Sequence, residues 1–365
     1  MSYWRLVRLN FGRNPAHFGE LGIGMEETNE RVLSDTLFSA WISAYARLFA
    51  KQAVEDLLKQ FIDRPQQPLF CISSTFIYRR KAEQYIYYLP RLLELPRKYP
   101  CGENDLEFAK TFKKLSYLPL EIWQRWYQGD GFEVGDRQDL IDETKGKSNG
   151  ALRQAGVFDY GKACETEQIP KIAVDRNTRA TNLYHTGFVQ FQWEQTPEGI
   201  RSLSGLYFLL HFSEANPTLE NDLHAALCLL GEEGIGGERS SGAGRFEVEW
   251  FDFSSRDKVD PRWNQIVNFS QPDRYSLISL FWDFPPPENL LTKAASYTIH
   301  ERGGWIASPF SGRQLRRKSV RMFAEGSIFP EAPIGKLADV TPDGFSTHRV
   351  YRSGISLSLP VHLAS

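Results

Sequence analysis

The sequence predicts an α+β fold in two parts, and three observations carry the prediction. Residues 3–11 alternate as a strand does, with Tyr3, Arg5, Val7, Leu9 and Phe11 against Trp4, Leu6, Arg8 and Asn10, and a helical repeat follows after a loop. Around residue 240 the order is helix, glycine-rich loop, strand. Beyond Asp273 no helix of more than about 12 residues is apparent, so the second part is expected to be strand-rich.

The first strand leads into a loop from Gly12 to Glu30 that holds Arg13, His17, Glu20, Gly22 and Gly24. Ser34 is placed to cap a helix, with Asp35 in its first turn. Leu37, Ala40, Trp41, Ala44 and Leu48 recur at helical spacing, and the helix is expected to extend toward Phe61. Strand, long loop and helix open a βαβ-type unit. Phe70–Tyr78 and Tyr85–Pro90 read as strands joined by a basic turn, Arg79-Arg80-Lys81. Residues 106–115 and 120–127 read as helices, whereas the polar stretch 129–150 is expected to be a surface loop, in part disordered. Strands at Lys171–Asp175 and Phe188–Trp193 frame a β-hairpin with a long basic tip. After a strand at Leu203–Phe212, a helix is patterned on Leu219, Leu223, Ala226, Leu227 and Leu230. The charged composition from Ser254 to Asp273 reads as a linker and divides the chain into 1–255 and 256–365. Strands are then expected at Tyr275–Phe284, Ser296–Arg302, Val320–Phe329 and Val350–Val361, with a short helix at Leu290 and Leu291.

Six glycines stand between Gly231 and Gly244, and Arg239 and Arg245 sit among them. Glycine permits positive φ and close approach of backbones, and its N–H groups can face an anion. A long flexible turn would use the same composition. The order helix–loop–strand excludes the P-loop and the dinucleotide fingerprint, which both need strand–loop–helix, and G-x-x-x-x-G-K-[ST] is absent.

The formal net charge of −2 argues against a protein that coats DNA non-specifically. Cys71, Cys101, Cys164 and Cys228 form no C-x-x-C pair, so neither a zinc site nor a disulfide framework is expected. No apolar run of about 18 residues exists, so no membrane partner and a cytoplasmic location are expected. Gly-x-Ser-x-Gly, H-x-x-x-H and H-E-x-x-H are absent, so no metal, cofactor or hydrolytic nucleophile is expected. Of the histidines, His211 sits in an apolar strand and reads as structural, while His17 sits in a loop, where functional groups concentrate. Basic residues gather in four places beside aromatics: Arg79-Arg80-Lys81 between Tyr78 and Tyr85; Arg176 and Arg179 near Tyr184 and His185; Arg239 and Arg245; and Arg313 to Arg321 near Trp305, Phe310 and Phe323. Each alone fits a solvated surface. Together they fit single-stranded RNA, held by its backbone on cations and by its bases on aromatic faces.

Several stretches resemble the RAMP superfamily of CRISPR proteins, and within it the subunit-four family of the Csm-type, type III-A effector complex. They are Glu26-Glu27-Thr28 with Ser34-Asp35-Thr36-Leu37-Phe38-Ser39-Ala40, Val174-Asp175-Arg176 with Asn182-Leu183-Tyr184, the run from Gly234 to Phe246, and Gly326-Ser327-Ile328-Phe329. The resemblance implies two tandem ferredoxin-like (RRM-like) domains with loop and hairpin insertions. It implies a non-catalytic subunit, without cofactor, that caps the 5′ repeat-derived tag of the CRISPR RNA. Its partners would be the large polymerase-like cyclase subunit and the first backbone subunit, with target RNA met only indirectly. On that basis the glycine loop, through Gly236, Gly237, Arg239, Ser240, Ser241 and Arg245, would grip phosphates. Arg176, Arg179 and Tyr184 on the hairpin would wedge the tag–spacer junction, and Arg13 and His17 would approach the same groove. A metal-independent endoribonuclease with His17 as base and a protein-only adaptor are the alternatives.

Overall fold

The computed structural model describes residues 2–19, 24–81, 83–100, 106–196, 199–255, 258–306 and 315–363. Glu20, Gly22, Cys101, Phe310 and Arg313, named above, lie outside the described residues. The first strand, β1 (Tyr3–Asn10), is interior: Leu6, Val7 and Leu9 are fully buried. The helix that follows, α1 (Ser34–Asp63), sets Leu37, Phe38, Trp41 and Tyr45 on its buried side and is broken at Ala50, whose φ is 66° and ψ 174°. Next come β2 (Phe70–Ile72), β3 (Phe76–Lys81), β4 (Gln84–Pro90), α2 (Leu106–Lys114), β5 (Tyr117–Pro119), α3 (Leu120–Tyr127), α4 (Val134–Thr144) and α5 (Ala151–Gln154). A long hairpin, β6 (Cys164–Val174) and β7 (Thr181–Phe191), precedes β8 (Trp193–Thr196) and β9 (Gly199–Phe212). The N-terminal part ends with α6 (Pro217–Glu233) and β10 (Glu247–Asp252).

The main sheet runs β10-β1-β9-β3-β4-β5 with every pairing antiparallel. Within it β1, α1, β3, β9, α6 and β10 trace a β-α-β-β-α-β path whose strands lie side by side as fourth, first, third and second. The helices α1 and α6 are joined where the Trp41 indole donates to Leu223 O at 2.7 Å, and that ring packs on Phe70 and Phe208 of the sheet.

After α7 (Arg262–Val267) the described residues carry no helix, only β11 (Arg274–Leu277), β12 (Ile299–Arg302), β13 (Val320–Phe323), β14 (Ile328–Phe329), β15 (Leu337–Asp339), β16 (Tyr351–Ser353) and β17 (Ser358–Val361). They form a three-stranded sheet, β14-β11-β17, and two ribbons, β12-β13 and β15-β16. The expected strand-rich character holds, but the expected helix near Leu290 is turn, and the long strands are cut short. Gly326, at φ 78°, parts β13 from β14.

Four further expectations give way to packing. The stretch 254–273 is no free linker: Val259, Trp263 and Ile266 are buried in the main core, with Trp263 against Tyr87 and Tyr207. The middle of residues 129–150 folds as α4 (Val134–Thr144), and two acids become buried acceptors there. Asp136 takes the Trp126 indole N–H at 2.9 Å and the Glu133 N–H at 3.0 Å, and Asp139 takes the N–H groups of Gly150 and Arg153. The Arg79-Arg80-Lys81 group is strand, not turn, and Arg79 is tied to Asp159 O and Gln192. Ser34 does not cap α1; its Oγ accepts the Leu280 N–H at 2.9 Å from the C-terminal part.

That bond belongs to a polar seam joining the two parts. Asp35 is fully buried, accepts Arg302 Nε at 3.0 Å and Nη2 at 3.1 Å, and is also bonded by Arg352. Glu325 pairs with Arg31 at 3.2 Å and accepts from Ser74 Oγ. Ile278, Ile328, Leu357, Leu359 and Val361 enter the same hydrophobic core as the N-terminal sheet.

Candidate nucleic-acid interface

Three segments far apart in sequence meet at the edge of this core: the loop after β1, the root of the β6–β7 hairpin, and the glycine loop after α6. The first two are joined as a miniature sheet. Ala16 N donates to Val189 O at 2.9 Å and Val189 N to Ala16 O at 2.8 Å, while Gly187 N donates to Met25 O at 2.7 Å. Under this join Phe191 stacks on Phe11 with ring centres 4.8 Å apart.

His17 stands at the centre. It is 8% exposed, and its Nδ1 lies 2.7 Å from Gly187 O. A carbonyl oxygen only accepts, so Nδ1 carries the proton and Nε2 is the free position of the neutral ring. The glycine loop closes over this histidine. Gly237 N donates to His17 O at 2.9 Å, and Gly244 N donates to Pro15 O at 2.8 Å. A methyl group at Gly236 would overlap His17 O, and one at Gly237 would come within 2.6 Å of His17 Cδ2. The expected role of these glycines is therefore corrected for Gly237: its N–H is already donated, and the two glycines serve the contact of one loop with the other. The helix also runs three residues further than the pattern indicates, so the loop begins at Gly234, with φ 84°.

Glu238, a non-glycine residue at φ 56°, turns its carboxylate onto Lys171 of β6, and Ser241 Oγ adds a bond at 3.2 Å. The hydrogen bond from Lys171 is the main cause holding this carboxyl below its ordinary value; burial opposes it, and the charge of Lys171 adds to the lowering. Lys171 also lies over the Phe188 ring, 5.1 Å from its centre. Neither Glu238 nor Lys171 stands out by composition, and only their folding together identifies them.

The remaining candidates fall into two groups. Arg13, Arg239, Ser240, Ser241 and Arg245 are exposed around the meeting of the loops. Arg13 lies over the Trp193 ring, 4.3 Å from its centre, a partner that the sequence pattern did not single out. Neither Arg239 nor Arg245 has an ion-pair partner among the described residues. Arg176 and Arg179 are instead on the far hairpin tip, which is shorter than expected. The strands run on to Val174 and from Thr181, and Asp175 folds the turn by accepting Asn177 N at 2.8 Å and Thr178 N at 2.9 Å. Arg179 has φ 58°. Tyr184 pairs across the ladder with Lys171 and so shares the hairpin face that meets Glu238, while Ile172, Val174 and Leu183, 64%, 58% and 62% exposed, form the other face.

Among the described residues no group of three or more His, Cys, Asp or Glu side chains could hold a metal ion, and no helix is long and apolar enough to cross a membrane.

Residues 270–361 match the family model described as the CRISPR Csm4 C-terminal domain. The chain is 26% identical over 336 residues to the CRISPR system Cms protein Csm4 of Thermococcus onnurineus (strain NA1), covering 90% of this chain and 91% of that protein. In fold it resembles a chain of the Csm3-Csm4 subcomplex of the type III-A CRISPR-Cas interference complex, with TM-score 0.57 at 18% identity over 98% of this chain and 99% of that one. It likewise resembles a chain of the Csm1-Csm4 cassette in complex with pppApA, with TM-score 0.54 at 18% identity over 100% of this chain and 99% of that one.

Proposed function

We propose that this chain, which belongs to the Csm4 family of CRISPR proteins, is a non-catalytic, RNA-binding scaffold subunit of a type III-A effector complex. It holds the 5′ repeat-derived tag of the CRISPR RNA and bridges the large polymerase-like subunit to the backbone subunits in the cytoplasm. Fold relatives crystallised as Csm3-Csm4 and Csm1-Csm4 assemblies support the two-sided bridging role. The fourth–first–third–second strand order supports a ferredoxin-like N-terminal domain, with the second ferredoxin-like domain reduced to strands.

One observation carries the RNA assignment: Arg13, Arg239 and Arg245 are exposed around a single junction of three loops, next to Trp193 and the Lys171–Tyr184 face of the hairpin. Cations that follow a backbone beside aromatic faces are what single-stranded RNA requires. The hairpin tip, with Arg176 and Arg179, then reaches along the guide to the tag–spacer junction. His17 favours this reading over the endoribonuclease: it is buried beneath the glycine loop and oriented by a backbone carbonyl, as a residue that shapes the loop would be.

The test is binding of tag-bearing RNA across a salt series. Each lost phosphate contact lowers the slope of log K against log salt by about 0.7 for a single strand. Arg239→Ala with Arg245→Ala should weaken binding and lower the slope by roughly 1.4. An unchanged affinity and slope would sink the assignment. Cleavage of repeat RNA by the purified chain, abolished in His17→Ala, would establish the endoribonuclease instead.

A further inference from the structure

The basic group Arg79-Arg80-Lys81 at the end of β3 has no part in the proposed function. Arg79 and Lys81 share one face of that strand, and they line a notch of about 300 Å³ together with residues of β8, β9 and the helical turn Tyr160–Lys162. That volume is at the small end of the roughly 300–1,000 Å³ typical of small-molecule sites. Lys81, Ser202 and Glu194 stand abreast on three neighbouring strands, because Ser202 of β9 is in register with Lys81 on one side and with Glu194 on the other. Gln192, Asp159 and Lys162 complete the lining with Arg79.

The guanidinium of Arg79 is held in place from two sides. Its Nη1 donates to Asp159 O at 3.0 Å and its Nη2 to Gln192 Oε1 at 2.9 Å. Its Nε is buried and has no hydrogen-bond partner among the described residues. Gln192 is fixed in turn, since its N donates to Ser204 Oγ at 2.8 Å and its carbonyl accepts Ser204 N at 2.9 Å. With its amide oxygen on Arg79, the NH2 group of Gln192 is a spare donor, and the Ser202 hydroxyl is another. Of the two carboxylates, Asp159 is already met by Lys162 at 2.9 Å, Arg79 at 3.9 Å and Arg153 at 4.0 Å. Lys81 has no ion-pair partner among the described residues. The notch is therefore rich in donors whose positions are set by the surrounding strands, and none of its lining residues is aromatic or aliphatic.

We infer that this notch binds inorganic phosphate or a small phosphate ester whose remainder is polar, with Arg79 Nε, Gln192, Ser202 and Lys81 receiving the phosphoryl oxygens. A phosphoryl group offers acceptors in several directions, and so suits guanidinium, amide, hydroxyl and ammonium donors that arrive from different strands. Its charge is met by Lys81 and by an arginine whose counter-ion Asp159 is shared with two other cations. A nucleic-acid strand fits less well. The notch has no face on which a base could stack. Glu194 also follows Trp193 on β8, so the notch opens on the opposite side of that strand from the Trp193–Arg13 pair. The inference does not rest on the guide-RNA assignment.

The test titrates inorganic phosphate, glycerol phosphate and glycerol into the full chain by calorimetry. The two phosphate compounds should bind and glycerol should not. Lys81→Gln, at an exposed residue, should weaken both about fivefold, and Lys81→Arg should restore most of the loss. Glu194→Gln removes a negative charge from the lining and should tighten inorganic phosphate. An unchanged melting temperature checks that each variant folds. Tighter binding of glycerol phosphate than of phosphate assigns the notch to an ester, and the reverse order assigns it to the free ion; either supports the inference. No saturable binding of either compound below about 10 mM, or a Lys81→Gln chain that folds and binds both unchanged, overturns it. Displacement of glycerol phosphate by an unphosphorylated octaribonucleotide also overturns it, because the notch would then belong to an RNA path. Lys81→Gln should leave tag-RNA affinity unchanged, and Arg245→Gln should weaken tag RNA without altering phosphate, so failure of the guide-RNA assignment and failure of the notch are read separately.

Discussion

Gly236 and Gly237 owe their identity to His17. Gly236→Ala would place a methyl group against His17 O at a residue whose φ is 96°, so destabilisation of more than about 1 kcal/mol is expected from denaturant midpoints. The glycine richness of this loop was legible in the sequence; the histidine beneath it was named as a neighbour, but no periodicity could show that the two touch. Glu238 was invisible for the same reason, and it sets a pH dependence. Its carboxyl is depressed in the folded chain, so its link to Lys171 is fully present above the ordinary value of 4.5 and is lost as pH falls through the lower folded value. Hydrogen-exchange protection factors at the hairpin root should therefore hold above the ordinary value of 4.5 and drop only on further acidification, through the lower folded value, and Glu238→Gln should remove the pH dependence. Asp35 was read as a helix-dipole acid, a sufficient role for its place in the first turn. Its actual place between two buried guanidinium groups makes Asp35→Asn a loss of roughly 3–5 kcal/mol, measurable by calorimetry.

Among the elements, α1 and the hairpin depart most from a simple pattern. The helical repeat of α1 predicted its position well but not its break, because Ala50 is a good helix former locally. With φ 66° and ψ 174°, Ala50 occupies a region open essentially only to glycine. Ala50→Gly should thus raise stability by about 1 kcal/mol in urea unfolding, whereas the same change in an unbroken helix lowers it by a similar amount. The hairpin was legible as two strands and a basic tip, but its length was not: alternation along β6 and β7 is blurred where both faces meet solvent. Because residues 172–182 are exposed, replacing 173–182 by a two-residue Asn-Gly turn should leave the melting temperature within a few degrees and weaken RNA binding. A large loss of stability would show that the tip is part of the fold.

For the whole molecule, the division at residue 255 followed composition, and composition is blind to packing. Trp263 and Ile266 lie in the region that reads as polar, yet they fill the space beside Tyr87 and Tyr207. Because the two parts share one apolar core and the Asp35 and Glu325 seams, unfolding should be a single cooperative transition, and a chain ending at 255 should be largely unfolded or aggregated when examined by sedimentation and circular dichroism. Two separate transitions would show that the seam contributes little. The partners of Asp35 also fix an order of events during synthesis. Arg302 and Arg352 follow it by 267 and 317 residues. At roughly 5–20 residues per second the ribosome delivers the second of them about 15–60 s after the aspartate. Throughout that interval the opening of α1 is without its counter-charges, and the N-terminal sheet waits on the end of the chain before its most buried acid can be enclosed.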